Sequence, residues 1–69
     1  MNFIVYKLNL INVDEILDIW MEGVSTVIRY KTNGLKLFIG ADSYKDAEIQ
    51  TNEIIDLIGK HTQVIIPKS

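Results

Sequence analysis

Apolar and polar residues alternate near the start of the chain with the period of two that is typical of a β-strand. One face of this segment would carry Ile4, Tyr6, Leu8 and Leu10. The alternation predicts a first strand over residues 3–10, which would place Lys7 on the other face.

After Asn12 the spacing changes to that of a helix, because apolar residues recur three and four positions apart. These residues are Val13, Ile16, Leu17 and Trp20. Asn12 and Glu15 have the spacing of a capping box, and Gly23 is a common residue at a helix end. A short amphipathic helix is therefore predicted over residues 13–22.

Two runs of β-branched and aromatic residues, 24–32 and 35–41, flank the dipeptide Asn33-Gly34. This dipeptide favours a two-residue hairpin turn, because both turn positions need a positive φ. The resulting register would pair Thr32 with Leu35 and Arg29 with Phe38. We predict an antiparallel hairpin here.

A second helix is predicted over residues 44–58, with Ser43 or Asp42 as its cap and Gly59 at its end. Its apolar stripe would consist of Tyr44, Ala47, Thr51, Ile54, Ile55 and Ile58. A final strand is predicted over residues 62–66, from Thr62 to Ile66. This segment is uncharged and contains the apolar run Val64-Ile65-Ile66, so it is a candidate edge for pairing two copies into a homodimer.

The predicted order is β-α-β-β-α-β, which indicates the α+β class and a two-layer, ferredoxin-like split β-α-β sandwich. Such a fold has a four-stranded antiparallel sheet with both helices on one face. At 69 residues, the chain is expected to form a single domain spanning residues 1–69.

Charge is distributed unevenly over these predicted elements. All nine acidic residues fall in or at the start of the two predicted helices, whereas Lys7, Arg29, Lys31 and Lys36 fall in the predicted strands. On the first helix, Asp14, Asp18 and Glu22 would form one acidic ridge, because they lie four positions apart. That ridge is a candidate contact for a basic partner, or else an ordinary solvated face.

The hairpin register would place a basic and aromatic surface on the open face of the sheet. Its candidate binding residues are Phe3, Lys7, Arg29, Lys31, Lys36 and Phe38. This layout resembles that of RNA-recognition-motif domains, in which sheet aromatics stack on bases and cations hold phosphates. Residues 35–40 contain one aromatic and lack the glycine- and aromatic-rich signature of that family. The face could equally contact a protein or be merely solvated.

The sequence lacks the residues that several kinds of chemistry require. The chain has no cysteine and one histidine, His61, which argues against thiolate catalysis, disulfides and a metal site. Neither a nucleophilic triad nor a phosphate-binding glycine loop can be assembled, so no enzymatic activity and no cofactor are expected. Because no targeting segment or membrane-length apolar run is visible, we expect a soluble, cytoplasmic protein without a membrane partner.

Together these patterns favour a small, non-catalytic protein-interaction module, such as an accessory or inhibitor protein. Twelve isoleucines against two alanines indicate an AT-rich genome, such as that of a phage or a low-GC bacterium. The partner would bind the sheet face, the edge strand or the acidic helices. The alternative is a single-stranded nucleic-acid-binding domain that uses the basic and aromatic face.

Overall fold

The computed structural model describes residues 2–62, and the side chains of residues 2–60. The chain forms two antiparallel sheets, a short 3₁₀ turn and, at the end of the described part, a long α-helix. The elements in order are β1 (Phe3–Tyr6), β2 (Asn9–Asn12), the 3₁₀ turn (Val13–Glu15), β3 (Ile16–Glu22), β4 (Ser25–Tyr30), β5 (Lys36–Gly40) and α1 (Tyr44–Thr62).

The prediction of the fold class was wrong. The described residues contain five strands in sheets of two and three strands, with one α-helix. They do not form a four-stranded, ferredoxin-like sheet with two helices on one face. The predicted strand over residues 62–66 also changes, because Thr62 is the last residue of α1. Residues 63–66, and with them the proposed dimer edge, lie outside the described residues.

The first hairpin replaces the single strand that was predicted over residues 3–10. β1 pairs with β2, and Ile4 lies opposite Ile11. The chain reverses at Lys7 and Leu8, whose φ angles of 48° and 65° are those of a type I′ turn. The two central positions of this turn are neither glycine nor asparagine, and Leu8 is 98% exposed. The alternation of apolar residues therefore continues through this turn, and neither of its central residues is of a type that predicts a reversal of the chain.

The segment predicted as the first helix is mostly a strand. Only Val13–Glu15 turns helically, and the side chain of Asn12 makes no capping hydrogen bond to it. From Leu17 onward, Leu17, Ile19 and Met21 alternate with Asp18, Trp20 and Glu22, and this strand period prevails over the helical spacing. Gly23, with a φ of 59°, lies in a two-residue hairpin loop between β3 and β4 instead of ending a helix.

The β4–β5 hairpin forms around Asn33 and Gly34, both with positive φ, as the sequence predicts. Its register differs from the predicted one by two positions. Arg29 pairs with Lys36 instead of Phe38, because the Tyr30 N–H donates to the Leu35 carbonyl. A displacement of two positions keeps every side chain on the same face of the sheet. The predicted division of residues between the two faces is thus unaffected by the change.

Helix α1 begins at the predicted position. The Oγ of Ser43 accepts a hydrogen bond of 3.1 Å from the Asp46 N–H, so Ser43 is the cap. The helix continues beyond Gly59, which was predicted to end it, and Lys60 forms an ion pair of 3.3 Å with Asp56 one turn earlier. The helix is consequently longer than predicted.

The domain has two layers. Helix α1 and the first hairpin pack on one face of the three-stranded sheet, which we call the inner face. The core between the layers consists of the buried residues Ile4, Ile11, Val13, Ile28, Ile39 and Ile54. Of the predicted helical stripe, Ala47 and Ile54 are fully buried, whereas Tyr44 and Ile55 are 66% and 43% exposed.

Two threonines form a buried hydroxyl pair between the sheet and the helix. Thr26 on β4 is fully buried, and Thr51 on α1 is nearly so. The Thr51 hydroxyl donates to the Ala47 carbonyl one turn earlier at 2.8 Å. Its single proton is therefore used, so the Thr26 hydroxyl is the donor in the 2.7 Å contact between the two oxygens.

The amide of Gln50, which is 2% exposed, connects three parts of the fold. Its Nε2 donates to the Thr26 hydroxyl at 2.9 Å and to the Ile39 carbonyl at 2.8 Å. Its Oε1 accepts a hydrogen bond from the Lys7 ammonium group in the turn of the first hairpin. Because every polar atom of this amide has a partner, the buried group holds β4, β5 and the first hairpin in one arrangement.

A second tie between the first hairpin and the helix lies nearer the surface. The Tyr6 phenol donates a hydrogen bond of 2.6 Å to the Glu53 carboxylate. This hydrogen bond, with smaller effects of burial and of the Glu53 charge, raises the pKa of Tyr6 to about 12. The hydrogen-bonded, protonated phenol is thus the form present at neutral pH.

Leu8→Gly is expected to raise the free energy of unfolding by about 0.5 to 1 kcal/mol. Leu8 has a left-handed backbone that costs a residue with a Cβ about 1 to 2 kcal/mol, and its exposed side chain contributes little burial. Leu17→Gly is the matched control, because Leu17 is also exposed but lies in strand β3. It should lower stability by a similar amount, and urea denaturation measures both. Destabilisation by Leu8→Gly would contradict the turn geometry.

Candidate binding face of the three-stranded sheet

The face of the three-stranded sheet that points away from α1 and the first hairpin is the candidate binding surface. We call it the open face. Strand pairing places Trp20 opposite Val27 and Val27 opposite Phe38, so one row of side chains crosses all three strands. The charged members of this face are Asp18, Glu22, Arg29 and Lys36.

The central row of the open face is apolar. Val27 is fully buried although it lies on this face, which follows from its position between the two larger rings of Trp20 and Phe38. Trp20 is half-buried, and Phe38 on strand β5 is 55% exposed. A partner that covers this row would remove the exposed part of both rings from water.

Trp20 is flanked by two cations. The guanidinium carbon of Arg29 lies 5.4 Å from the ring centroid, and the ammonium nitrogen of Lys36 lies 5.7 Å from it. Both distances are within the range of cation-π attraction. The indole N–H donates a hydrogen bond of 3.3 Å to the Glu22 carboxylate. The ring is therefore held in place by neighbours on all three strands.

Arg29 is held by a two-pronged contact with Asp18 on the neighbouring strand. Its Nε donates to Oδ1 at 3.0 Å, and its Nη2 donates to Oδ2 at 2.5 Å. These hydrogen bonds, followed by the Asp18 charge, raise the pKa of Arg29 above its ordinary value. Because both side chains are about 40% exposed, the pair adds little stability, and its main consequence is the orientation of the guanidinium.

Positive and negative charges on the open face are balanced. Arg29 and Lys36 contribute two positive charges, and Asp18 and Glu22 contribute two negative charges at neutral pH. The predicted separation into an acidic helical layer and a basic sheet is therefore wrong for this face. A balanced surface has little long-range attraction for a phosphate backbone.

The structure brings three of the six predicted face residues together and separates the others. Arg29, Lys36 and Phe38 share the open face. Phe3 and Lys7 belong to the first hairpin, which is a separate sheet, and Lys31 follows the end of β4. The sheet therefore lacks the central pair of phenylalanines that the resemblance to RNA-recognition motifs rested on. Trp20, predicted as a helical core residue, occupies the corresponding place.

The residues of the predicted acidic ridge do not form a ridge, since the helix that would align them is absent. Asp14 lies in the 3₁₀ turn, where its carboxylate accepts a hydrogen bond of 2.9 Å from the backbone N–H of Asn2. Asp18 and Glu22 lie on the open face, where they contact Arg29 and Trp20. The strand period of residues 17–22 was the signal that could have placed them there.

Two further features of the described part of the chain concern metal ions and membranes. The described side chains, those of residues 2–60, include no cluster of three or more of the types that hold a metal ion. Within residues 2–62, no helix has both the length and the apolar character that crossing a membrane requires.

No protein-family model, no curated protein sequence and no solved structure matches this chain.

Proposed function

We propose that this protein is a small, non-catalytic interaction module that binds a protein partner through the open face. The observation that carries the proposal is the apolar row of Trp20, Val27 and Phe38 between oriented charges, in which the Phe38 ring is 55% exposed. Aromatic residues and arginine dominate the energetics of protein interfaces when they surround a small apolar centre. The open face has this composition.

The balance of charge favours a protein over a nucleic acid as the partner. A strand of nucleic acid is bound mainly through unpaired cations that replace its counterions. Arg29, the cation nearest to the aromatic row, is already paired with Asp18, and Glu22 adds a further negative charge. Single-stranded nucleic acid is thus the alternative partner. The cations near Trp20 support it, and the zero net charge of the open face opposes it.

An accessory or inhibitor protein of the cytoplasm is the biological role that we propose for such a module. The chain has 69 residues and no cysteine, so a reducing compartment suits it. A small folded domain that occupies a partner's surface can regulate that partner without any chemistry of its own. The source of the protein, proposed as a phage or a low-GC bacterium, is where the partner should be sought.

The partner can be tested by affinity capture from an extract of the source cells. The wild-type protein should retain a specific protein, and Phe38→Ala should weaken its binding at least about 30-fold, the effect of losing a hot spot. Ile49→Ala is the matched control, because Ile49 is 49% exposed on α1 and should leave binding unchanged. Capture that Phe38→Ala does not reduce would overturn the role of the open face.

Trp20 gives a direct readout for the nucleic-acid alternative, because it is the single tryptophan of the chain. We expect mixed-sequence DNA and RNA oligonucleotides at low salt to leave its fluorescence unchanged. Quenching that weakens steeply with salt and is lost in Phe38→Ala would instead establish stacking and phosphate contacts. That result would replace the protein-binding proposal with the nucleic-acid one.

A further inference from the structure

A second candidate site lies outside the open face. A solvent-open cleft of about 320 Å³ separates the first hairpin from the end of the β4–β5 hairpin. Tyr30 and Leu35, which line it, belong to the set of side chains on the inner side of the sheet. Trp20 and Phe38 do not line it, so the cleft is a separate surface.

The walls of the cleft are apolar and partly aromatic. They are formed by the rings of Phe3 and Tyr30 and by the side chains of Leu10 and Leu35. Phe3, Leu10 and Leu35 are 41%, 62% and 59% exposed, so all three offer apolar surface that a bound molecule would cover. The volume lies at the lower end of the range of small-molecule sites.

Two polar groups of the cleft, the Glu15 carboxylate and the Asn12 amide oxygen, can accept hydrogen bonds. The Glu15 carboxylate accepts one of 3.1 Å from the Thr32 hydroxyl, and a carboxylate has further acceptor positions. Asn12 also lines the cleft, and its Oδ1 is buried without a hydrogen-bond partner among the described residues. Of the residues that the structure describes, no lysine, arginine or histidine lines the cleft.

The orphaned oxygen of Asn12 follows from the local backbone. As a helix cap it would accept a hydrogen bond from an N–H of the first turn, but the 3₁₀ turn of residues 13–15 makes no such bond. A buried acceptor without a partner costs about 1 to 3 kcal/mol. A ligand that donates a hydrogen bond to this oxygen would remove that cost.

We infer that this cleft binds a small organic ammonium ion, namely a primary amine with an apolar, arylalkyl-sized body. The Glu15 carboxylate supplies the opposite charge, and the rings of Phe3 and Tyr30 can attract a cation to their faces. The N–H groups of the ammonium would satisfy the Asn12 oxygen. An anion would meet the Glu15 charge and no cationic side chain among the described lining residues, so the cleft selects against it.

Three molecules of similar shape test the charge requirement. We would titrate phenethylamine, 2-phenylethanol and 3-phenylpropionate into the protein at neutral pH and follow the backbone amide signals of Asn12, Tyr30 and Leu35 by NMR. Phenethylamine, as its ammonium ion, should bind at least about tenfold more tightly than the alcohol, and the carboxylate should not bind. Equal binding of the amine and the alcohol would overturn the inference.

The same titration separates two sources of the ammonium group, a free amine and a lysine side chain of another protein. Nα-acetyl-lysine methylamide should bind about tenfold more weakly than phenethylamine, because its polar amide ends have no partners in the apolar walls. Tighter binding of the lysine derivative would overturn the assignment to a free amine and point to a lysine-bearing partner.

Two variants distinguish a binding site from a structural role. Glu15→Gln keeps an acceptor for Thr32 but removes the charge, so phenethylamine affinity should fall at least about tenfold. Asn12→Leu should weaken binding while leaving the urea midpoint equal or higher, because it removes a buried, unpaired acceptor. Glu48→Gln, an exposed carboxylate of α1, is the control and should bind like the wild type.

These outcomes are independent of the open face. Phe38→Ala, which should weaken partner binding there at least about 30-fold, is expected to leave phenethylamine affinity unchanged. If Glu15→Gln bound phenethylamine as tightly as the wild type, the inference that the Glu15 charge attracts the ligand would be wrong, whatever the open face binds.

Discussion

Ile54→Ala is expected to lower the free energy of unfolding by about 2 to 5 kcal/mol. Ile54 is fully buried on α1 and belongs to the core cluster with Ile28 and Ile39 of the sheet. Its truncation removes apolar contacts and leaves a cavity between the two layers, which surrounding side chains fill only in part. Urea denaturation followed by circular dichroism measures the change.

Ile55 provides the matched control for this effect. It is the next residue of the same helix but is 43% exposed, so Ile55→Ala should cost less than about 1 kcal/mol. If Ile54→Ala leaves too little folded protein to measure, Ile54→Val should still cost about 0.5 to 1.5 kcal/mol. Equal effects of the two alanine variants would show that the helix packs in a different rotation.

Gln50→Ala is expected to lower the free energy of unfolding by about 2 to 4 kcal/mol. The substitution removes the donor to the Thr26 hydroxyl and the Ile39 carbonyl and leaves both acceptors buried. It also removes the partner of the Lys7 ammonium group. Asn52→Ala, at an exposed position of the same helix, should change stability by less than about 0.5 kcal/mol.

A double-mutant cycle separates the hydrogen bonds of this network from simple loss of volume. Gln50→Leu and Thr26→Val each remove one partner, so each alone should be destabilising. Together they should cost less than the sum by about 0.5 to 3 kcal/mol, because Thr26 no longer presents an unpaired group. Additive effects would show that the Gln50 amide and the Thr26 hydroxyl are not coupled.

Local signals predicted the parts of the fold that depend on a few adjacent residues. Asn33-Gly34 indicated the β4–β5 hairpin, because few other dipeptides accept two positive φ angles at low cost. Ser43 indicated the start of α1 because its hydroxyl caps the first turn. Neither signal could set the two-position displacement of the hairpin register, in which the Tyr30 N–H donates to the Leu35 carbonyl while the Lys31 N–H donates to the distant Glu15 carbonyl.

The first third of the chain could not be predicted because its periodicities are ambiguous. Residues 13–22 fit both a helical and a strand spacing, and tertiary pairing of β3 with β4 decided between them. The turn at Lys7 and Leu8 has residues that normally avoid positive φ. It forms because Ile4 and Ile11 both reach the core, and Asn9 donates to the Lys7 carbonyl at 3.1 Å.

The candidate site was partly predictable for a simple geometric reason. Side chains alternate between the two faces of a strand, so a register error of two positions leaves each one on its face. Arg29, Lys36 and Phe38 therefore share a face in both the predicted and the observed register. Trp20 was missed because it was assigned to a helix. The net charge of the open face is zero because strand β3 places Asp18 and Glu22 there. This zero net charge, which changes the expected partner, could not be predicted while residues 13–22 were assigned to a helix.

The position of α1 after all five strands has a consequence for synthesis on the ribosome. The three-stranded sheet leaves the exit tunnel before the helix that covers it, so Ile28 and Ile39 emerge with their inner face bare. Until Gln50 and Ile54 have emerged, the nascent sheet has neither its cover nor the donor for its buried Thr26. The emerging sheet therefore passes through an aggregation-prone stage that ends when the helix has left the tunnel.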